Sequence, residues 1–337
     1  MFVGKPKQNY RPALWIFFVL LIVFAPALVL AEEDEETAGM KTSTDLELQI
    51  SSRPEARVRL SQSFIFPFLQ GTGPITKDNN ITAVLTADIT PVSLAGIGEL
   101  IWTPAAFFLL SGGGQAGSGW NMPLGDGVGM NTAVGPKPVS PGKREDARYS
   151  KIIGKAFDGL QWSAWGAATL QFDLGVIIPG DWTHILFQTR QEFRYAAYTR
   201  AGSGPEETWV FENDYGENHN GWNYYASYTF GYKMPASMVL DTIAIMFELN
   251  KNLYNTPGGQ VWGEDLGEWI ISTIFNFSIN PRFNIAMAIQ MHTRQNYGTG
   301  NFYEYDKYYQ DLAVSDYGGR RRLLFYRVGV ILNFKLR

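Results

Sequence analysis

The stretch Phe283-Asn284-Ile285-Ala286-Met287-Ala288-Ile289-Gln290-Met291-His292-Thr293-Arg294 decides the fold, because it alternates without a break. Phe283, Ile285, Met287, Ile289 and Met291 fall on one face of an extended chain. Asn284, Ala286, Ala288, Gln290, His292 and Arg294 fall on the other. The pattern recurs upstream. In 269–279, Trp269, Ile271, Thr273, Phe275, Phe277 and Ile279 alternate with Ser272, Asn276 and Ser278; in 222–232, Trp222, Tyr224, Ala226, Tyr228, Phe230 and Tyr232 alternate with Asn223, Tyr225, Ser227 and Thr229. Similar readings fit 56–68, 81–91, 100–110, 162–176, 185–199 and 239–250. Runs of about 10 to 14 residues have the length that a tilted strand needs to cross a bilayer.

The last strand carries a family resemblance. Leu324, Tyr326, Val328, Val330, Leu332 and Phe334 share one face, with Arg327, Gly329, Asn333 and Lys335 on the other. A polar residue, a glycine two further on, then alternate hydrophobics ending in an aromatic resembles the C-terminal signature of bacterial outer-membrane β-barrels. The departure is the tail Lys335-Leu336-Arg337 after the aromatic. The resemblance implies an all-β, antiparallel up-and-down transmembrane barrel, monomeric, surrounded by outer-membrane lipids and inserted by periplasmic chaperones and the barrel-assembly machinery of a double-membraned bacterium.

The other terminus agrees. Lys5, Lys7 and Arg11 precede an apolar core from Ala13 to Phe24, and Val29-Leu30-Ala31 places a small residue before the acidic run Glu32 to Glu36. Basic, apolar, small is the order of a cleaved secretory leader, here ending at Ala31. An uncleaved anchor helix is the rival. The expected organisation is a signal peptide over 1–31, a periplasmic lead-in over 32–55 and the barrel over 56–337. No later run suits a membrane helix, since 102–110 is short and interrupted by Pro104.

Composition fits a barrel. Mean hydropathy is only -0.12, yet aromatics make up 15% of the chain. When every second residue faces a watery lumen, average hydropathy hides the membrane span. The net charge is -4, and loss of Lys5, Lys7 and Arg11 with the leader would move it to about -7. No basic stripe exists, so nucleic acid is excluded as a partner. The absence of cysteine rules out disulfides, thiolate metal sites and a lipidated N-terminal Cys.

Short proline-bearing turns at 91–96, 179–183, 234–238 and 280–282 alternate with long polar stretches at 70–80, 111–160, 200–221, 251–267 and 295–321. Bacterial barrels place short turns in the periplasm and long loops outside. Counting from 56–68 to 322–336 gives about ten strands with both termini periplasmic. A twelve-stranded barrel with a strand hidden in a long loop is the alternative; 44–52 alone would make an odd count, so it is read as lead-in. Trp102, Trp162, Trp222, Trp269, Tyr195, Tyr224 and Tyr232 are expected to form interfacial girdles. A soluble sandwich would have shorter strands and polar outer faces.

The face opposite the apolar set lines the lumen. Arg57, Arg59, Arg190, Arg194, Lys233, Arg294 and Arg327 meet Asp88, Glu99, Asp173, Glu192, Glu248 and Glu268, with Gln290 and His292 among them. Eight strands give a barrel filled by side chains, and a wide channel needs about 16. At about ten, the charges are expected first as a salt-bridged network filling a narrow barrel. The competing reading is a permeation route lined by Arg190, Glu192 and Arg194.

Three function classes follow. A narrow channel or small-solute transporter leads; a surface adhesin or structural barrel acting on a host ligand through its loops is the alternative; a rim protease or lipase is third. Omptin-like proteases use acidic residues and a histidine at the outer rim, which His219 with Asp214 and Glu217 resembles, but no further omptin motif is present. Outer-membrane phospholipases pair a Ser with a His in a strand, and His292 has no local serine. No cofactor, metal or catalytic set is expected. The run 111–117 lacks the Lys-Ser/Thr of a phosphate loop and reads as external loop. The Tyr-rich stretch 302–311 reads as a solvated hairpin tip with carbohydrate or host binding as the rival.

Overall fold

The computed structural model describes residues 39–53, 55–120, 130–136, 157, 159–202, 207–212, 218, 220–253, 267–295 and 321–336. The expected leader, His219 with Asp214 and Glu217, and the Tyr-rich stretch 302–311 lie outside them.

In chain order the strands are β1 (Lys41–Ser51), β2 (Ala56–Pro67), β3 (Asn80–Ile89), β4 (Ser93–Ala105), β5 (Phe108–Gly119), β6 (Met130–Pro136), β7 (Gln161–Asp173), β8 (Ile185–Tyr198), β9 (Glu207–Glu212), β10 (Gly221–Lys233), β11 (Leu240–Asn252), β12 (Glu268–Asn280), β13 (Phe283–Gln295) and β14 (Arg321–Lys335). Twelve of them close an antiparallel barrel in which β14 returns to pair with β1, while β6 and β9 form a separate two-stranded sheet. Closure runs through the registers Leu46 with Phe334 and Leu48 with Leu332.

Twelve is the higher of the two counts, and both additional strands come from segments expected elsewhere. The lead-in over 44–52 is instead most of β1. Its Asp45, Glu47 and Gln49 alternate with Leu46, Leu48 and Ile50, and it hydrogen-bonds on both sides. The stretch from Ser111, expected as external loop, is instead the body of β5, joined to β4 by the two residues between Ala105 and Phe108. Two of its glycines are a packing requirement. A Cβ on Gly113 would lie 2.6 Å from the Gly98 carbonyl and from the Trp165 ring, and one on Gly117 would lie 2.8 Å from the Leu94 carbonyl. Pro104 falls where the β4–β5 register shifts, a place in a sheet that tolerates the missing donor.

Adding β1 inverts the direction of β2, β3 and β4, and adding β5 restores the phase. The connection between β2 and β3, expected with the long loops, therefore lies at the end that carries both termini. The turn containing Pro91 lies at the opposite end with the long connections.

The wall is inverted relative to a water-soluble protein. Leu85, Leu100, Leu170, Phe193, Phe230, Ile245 and Ile289 are exposed on its outer face, while Ser163, Glu192, Ser272 and His292 are buried on the inner one. Trp162, Tyr195 and Trp222 form an outward aromatic run at the end opposite the termini, with ring centroids 5.5 Å apart at each step. Trp269 is at the same end, Trp102 and Tyr232 at the other, and Tyr224 sits one step deeper, its hydroxyl donating to Gln191.

Two facing assignments, Leu324 and Tyr326, are corrected, and Leu324 pairs with the inward His292. The β13–β14 register shifts between Gln290 and Met291, and the bulge turns Tyr326 inward, where its ring stacks on His292 at 4.5 Å. Phe325 and Leu323 take the lipid-side positions instead and are exposed. Bulges re-aim side chains in this way at barrel rims.

Candidate functional site: the barrel lumen

Arg190, Glu192 and Arg194 are alternate residues of β8, so the strand period alone aims all three inward. Glu192 accepts from both neighbours, Arg190 at 2.8 Å and Arg194 at 2.7 Å. Arg190 also reaches Glu99 on β4 at 3.4 Å. The Arg194 guanidinium lies 4.7 Å above the Trp165 ring, which packs close to Gly113 and whose indole N–H donates to Glu99 at 3.4 Å. Stacking and charge pairing together fix the Arg194 fork.

A second cluster occupies the wall formed by β1, β2 and β3. Asp88 accepts from Arg59 at 2.9 Å and faces Arg57 at 3.4 Å, and Arg59 approaches Glu47 at 3.6 Å. A third joins the barrel seam. Arg327 donates to Gln290 and to Glu55, each at 2.6 Å; Gln290 donates to Ser272 at 2.9 Å; His292 pairs with Glu268 at 3.3 Å; and the Tyr225 hydroxyl donates to Glu248 at 2.8 Å. The lumen thus brings together most of the charged residues read from sequence. Asp173 and Lys233 stand apart at the end carrying the termini, where Asp173 pairs with His184 at 2.8 Å. The Arg294 side chain lies outside the described residues.

Glu55 sits in the turn between β1 and β2. Burial disfavours its charge, but hydrogen bonds from Arg327 and Ser51 and the charges of Arg327 and Arg53 outweigh burial and hold the carboxyl below its ordinary value of 4.5. A depressed folded value means that Glu55 stabilises the fold fully above 4.5 and progressively less as the pH falls through the depressed value. The gap in unfolding midpoint between the natural chain and Glu55→Gln should therefore shrink on acidification below this value. A gap that stays constant with pH would show that the Glu55 charge is not engaged.

Sequence reasoning missed β9. The 200–221 connection was expected as external loop, yet its β9 segment turns back into the mouth opposite the termini, where Trp209 and Phe211 join the lumen lining. Trp209 packs on Tyr198 with centroids 6.1 Å apart, and its backbone pairs with Asn218. Glu212 ends the strand in the left-handed region at φ 59°, a conformation that a non-glycine residue needs support to hold. The support comes from Arg57 and from Ser93, whose hydroxyl donates to Glu212 at 2.8 Å. The available signal was Trp209 and Phe211 at a spacing of two.

Among the described residues the clusters coat the wall and leave part of the lumen empty. A cavity of about 1000 Å³ remains, touched by Arg59, Glu99, Trp165, Arg190, Arg194 and Tyr225. The fold is a closed, twelve-stranded antiparallel β-barrel with an apolar outer face. No family model matches the chain, and no curated protein does. Among solved structures it is similar to the KdgM porin, at 8% identity over 88% of this chain and 99% of that one with a TM-score of 0.37. It is similar also to the NanC porin, at 8% identity over 87% and 100% with a TM-score of 0.41. The outer membrane phospholipase of Salmonella typhi matches at 10% identity over 90% and 94% with a TM-score of 0.31. At these values the chain's own geometry has to carry its function.

Proposed function

We propose that the chain is an integral outer-membrane protein whose lumen is a narrow, water-filled path for small solutes. The observation that carries this reading is the cavity of about 1000 Å³ together with the wetting of the charges around it. The Arg190 and Arg194 side chains keep 29% and 36% of their surface exposed although both are paired. A dry network would bury them. The exterior apolar band and its two aromatic rims support the placement in lipid. Export by a leader cut after Ala31, insertion by the barrel-assembly machinery and a monomeric state belong to the same proposal. The long connections at the end opposite the termini keep a surface-acting barrel as the second reading.

Planar bilayers test the path directly. Discrete ion-conducting steps are expected, and silent insertion would favour the surface-acting reading. β9 narrows the mouth and is held there by Glu212, so Glu212→Ala should raise the conductance by a factor on the order of two. A twelve-strand wall is only modestly wider than one that side chains fill, and a displaced segment frees much of the section. Unchanged conductance would show that β9 does not limit flow.

A further inference from the structure

Each of the five turns at the end carrying the termini has, in it or beside it, an exposed large apolar side chain. Leu69 lies in the β2–β3 connection, Phe107 in the β4–β5 turn, Ile177 and Trp182 between β7 and β8, Val239 just ahead of β11, and Ile279 beside the β12–β13 turn. All six are between 46% and 66% exposed. The two short turns at the opposite end differ. Ser52, Arg53 and Glu55 occupy one, and Val92, the apolar residue of the other, is buried. Single apolar residues on a surface need no account, but one at every turn of one end marks an interaction surface.

The shape of that surface selects the partner. In the order of the closed wall these turns fill every second gap between strands, and the remaining gap of that set is the seam between β1 and β14. A protein docking from one side would meet a patch; a ring calls for a partner that surrounds the barrel. Two observations give the direction of the side chains. Phe68, next to Leu69, lines a depression of the outer face with Leu100, Trp102 and Phe193. The Trp182 carbonyl accepts from the hydroxyl of Tyr232, an outward residue of β10, at 2.8 Å. The turns therefore continue the lipid-facing wall.

Depth is set by the aromatic rims. From Trp222 to Tyr232 the outward face of β10 rises about 25 Å at the usual strand rise and tilt, the height of the apolar band of such a wall. Tyr232 pairs with Ile185 and with Ile243, so Trp182 and Val239 lie no more than about 10 Å beyond its rim. The headgroup layer of a bilayer occupies about 5 to 8 Å on each side of the hydrocarbon.

We infer that these five turns form a collar seated in the headgroup layer of the leaflet at the end carrying the termini, with phospholipid as its partner. The inference rests on the placement of the barrel in lipid and is independent of the reading of the lumen as a path. Trp182 beside Tyr232 suits this depth, where an amphipathic ring keeps its polar edge wet and its body in lipid.

The chain has no cysteine, so single labels can be placed cleanly. Leu69→Cys, Ile177→Cys and Val239→Cys carry an environment-sensitive fluorophore on three separate turns, and loss of one variant to misfolding leaves two. Ile289→Cys marks the lipid-facing middle of β13, and Pro91→Cys marks the opposite end. In protein-free phosphatidylcholine vesicles, lipid brominated near the headgroup should quench the three turn labels roughly twofold more than lipid brominated at the chain ends. Ile289→Cys should show the reverse order, and Pro91→Cys should respond to iodide in the water alone. Turn labels that iodide reaches as freely as it reaches Pro91→Cys overturn the collar and leave the surface to a protein partner. Turn labels that follow Ile289→Cys overturn it too, because the turns are then in hydrocarbon. If neither brominated lipid quenches Ile289→Cys, the placement in lipid fails and the collar with it.

Discussion

Glu192→Ala should destabilise the barrel by about 3 kcal/mol, the lower end of the loss on breaking a buried ion pair. The lower end applies because only Glu192 is dry, its side chain 3% exposed, while its two arginines remain partly wet. Removing it leaves Arg190 and Arg194 two residues apart on one face of β8, with Glu99 as the remaining neighbour of Arg190. Urea unfolding in detergent or lipid measures the loss. The same variant should move the reversal potential toward anion preference, since two unneutralised cations then face the cavity. Glu192→Gln keeps an acceptor and should lose less stability while shifting selectivity in the same sense. A loss below about 1 kcal/mol would equate the triplet with an exposed surface ion pair.

Ile289→Arg should cost roughly 2 to 4 kcal/mol, the penalty for a cation at the lipid face near mid-membrane. Ile289 sits at the centre of β13, is 41% exposed and points away from the lumen. The comparison is Ala288→Arg, one residue away and inward. Its cross-strand neighbour is Gly329, so a long side chain there finds room and water, and the cost should be less than half as large. Equal costs would mean that the two faces of β13 see the same environment. A larger cost at Ala288 would reverse the faces and make the interior the apolar side, as in a soluble protein.

What could be read from sequence depended on whether side chains recorded their own environment. β7, β8, β10, β11, β12 and β13 were legible because apolar and polar residues alternate along them, and the inward charges followed from the same period. β5 was hidden because its close contacts with Trp165 and with the strand β4 require glycine, which leaves no side chain to alternate. β1 alternated clearly and was set aside only because, with β5 missing, it made an odd count. The inward turn of Tyr326 depends on a bulge, which no period announces. Pairings such as Glu212 with Arg57, or Glu99 with Trp165, join residues far apart in the chain. They are properties of the closed wall and have no trace in local sequence.

The seam between β1 and β14 has a bearing on how the molecule is made. Among the described residues the first strand bonds to the last, so the register that completes the ring joins distant parts of the chain and cannot form until β14 has been synthesised. Until then β1 and β14 are open edges, each able to recruit foreign strands. Assembly of this kind is slow, because the most distant contacts must come together before the ring gains their stability. The turn between β1 and β2 adds its own contacts to that seam. Ser52 exchanges hydrogen bonds with Val328, 2.8 Å from its backbone N–H and 3.0 Å to its hydroxyl, and Arg53 and Glu55 grip Tyr326 and Arg327. In the closed ring, side chains of this turn thus hold β14 in the same register as the backbone ladder.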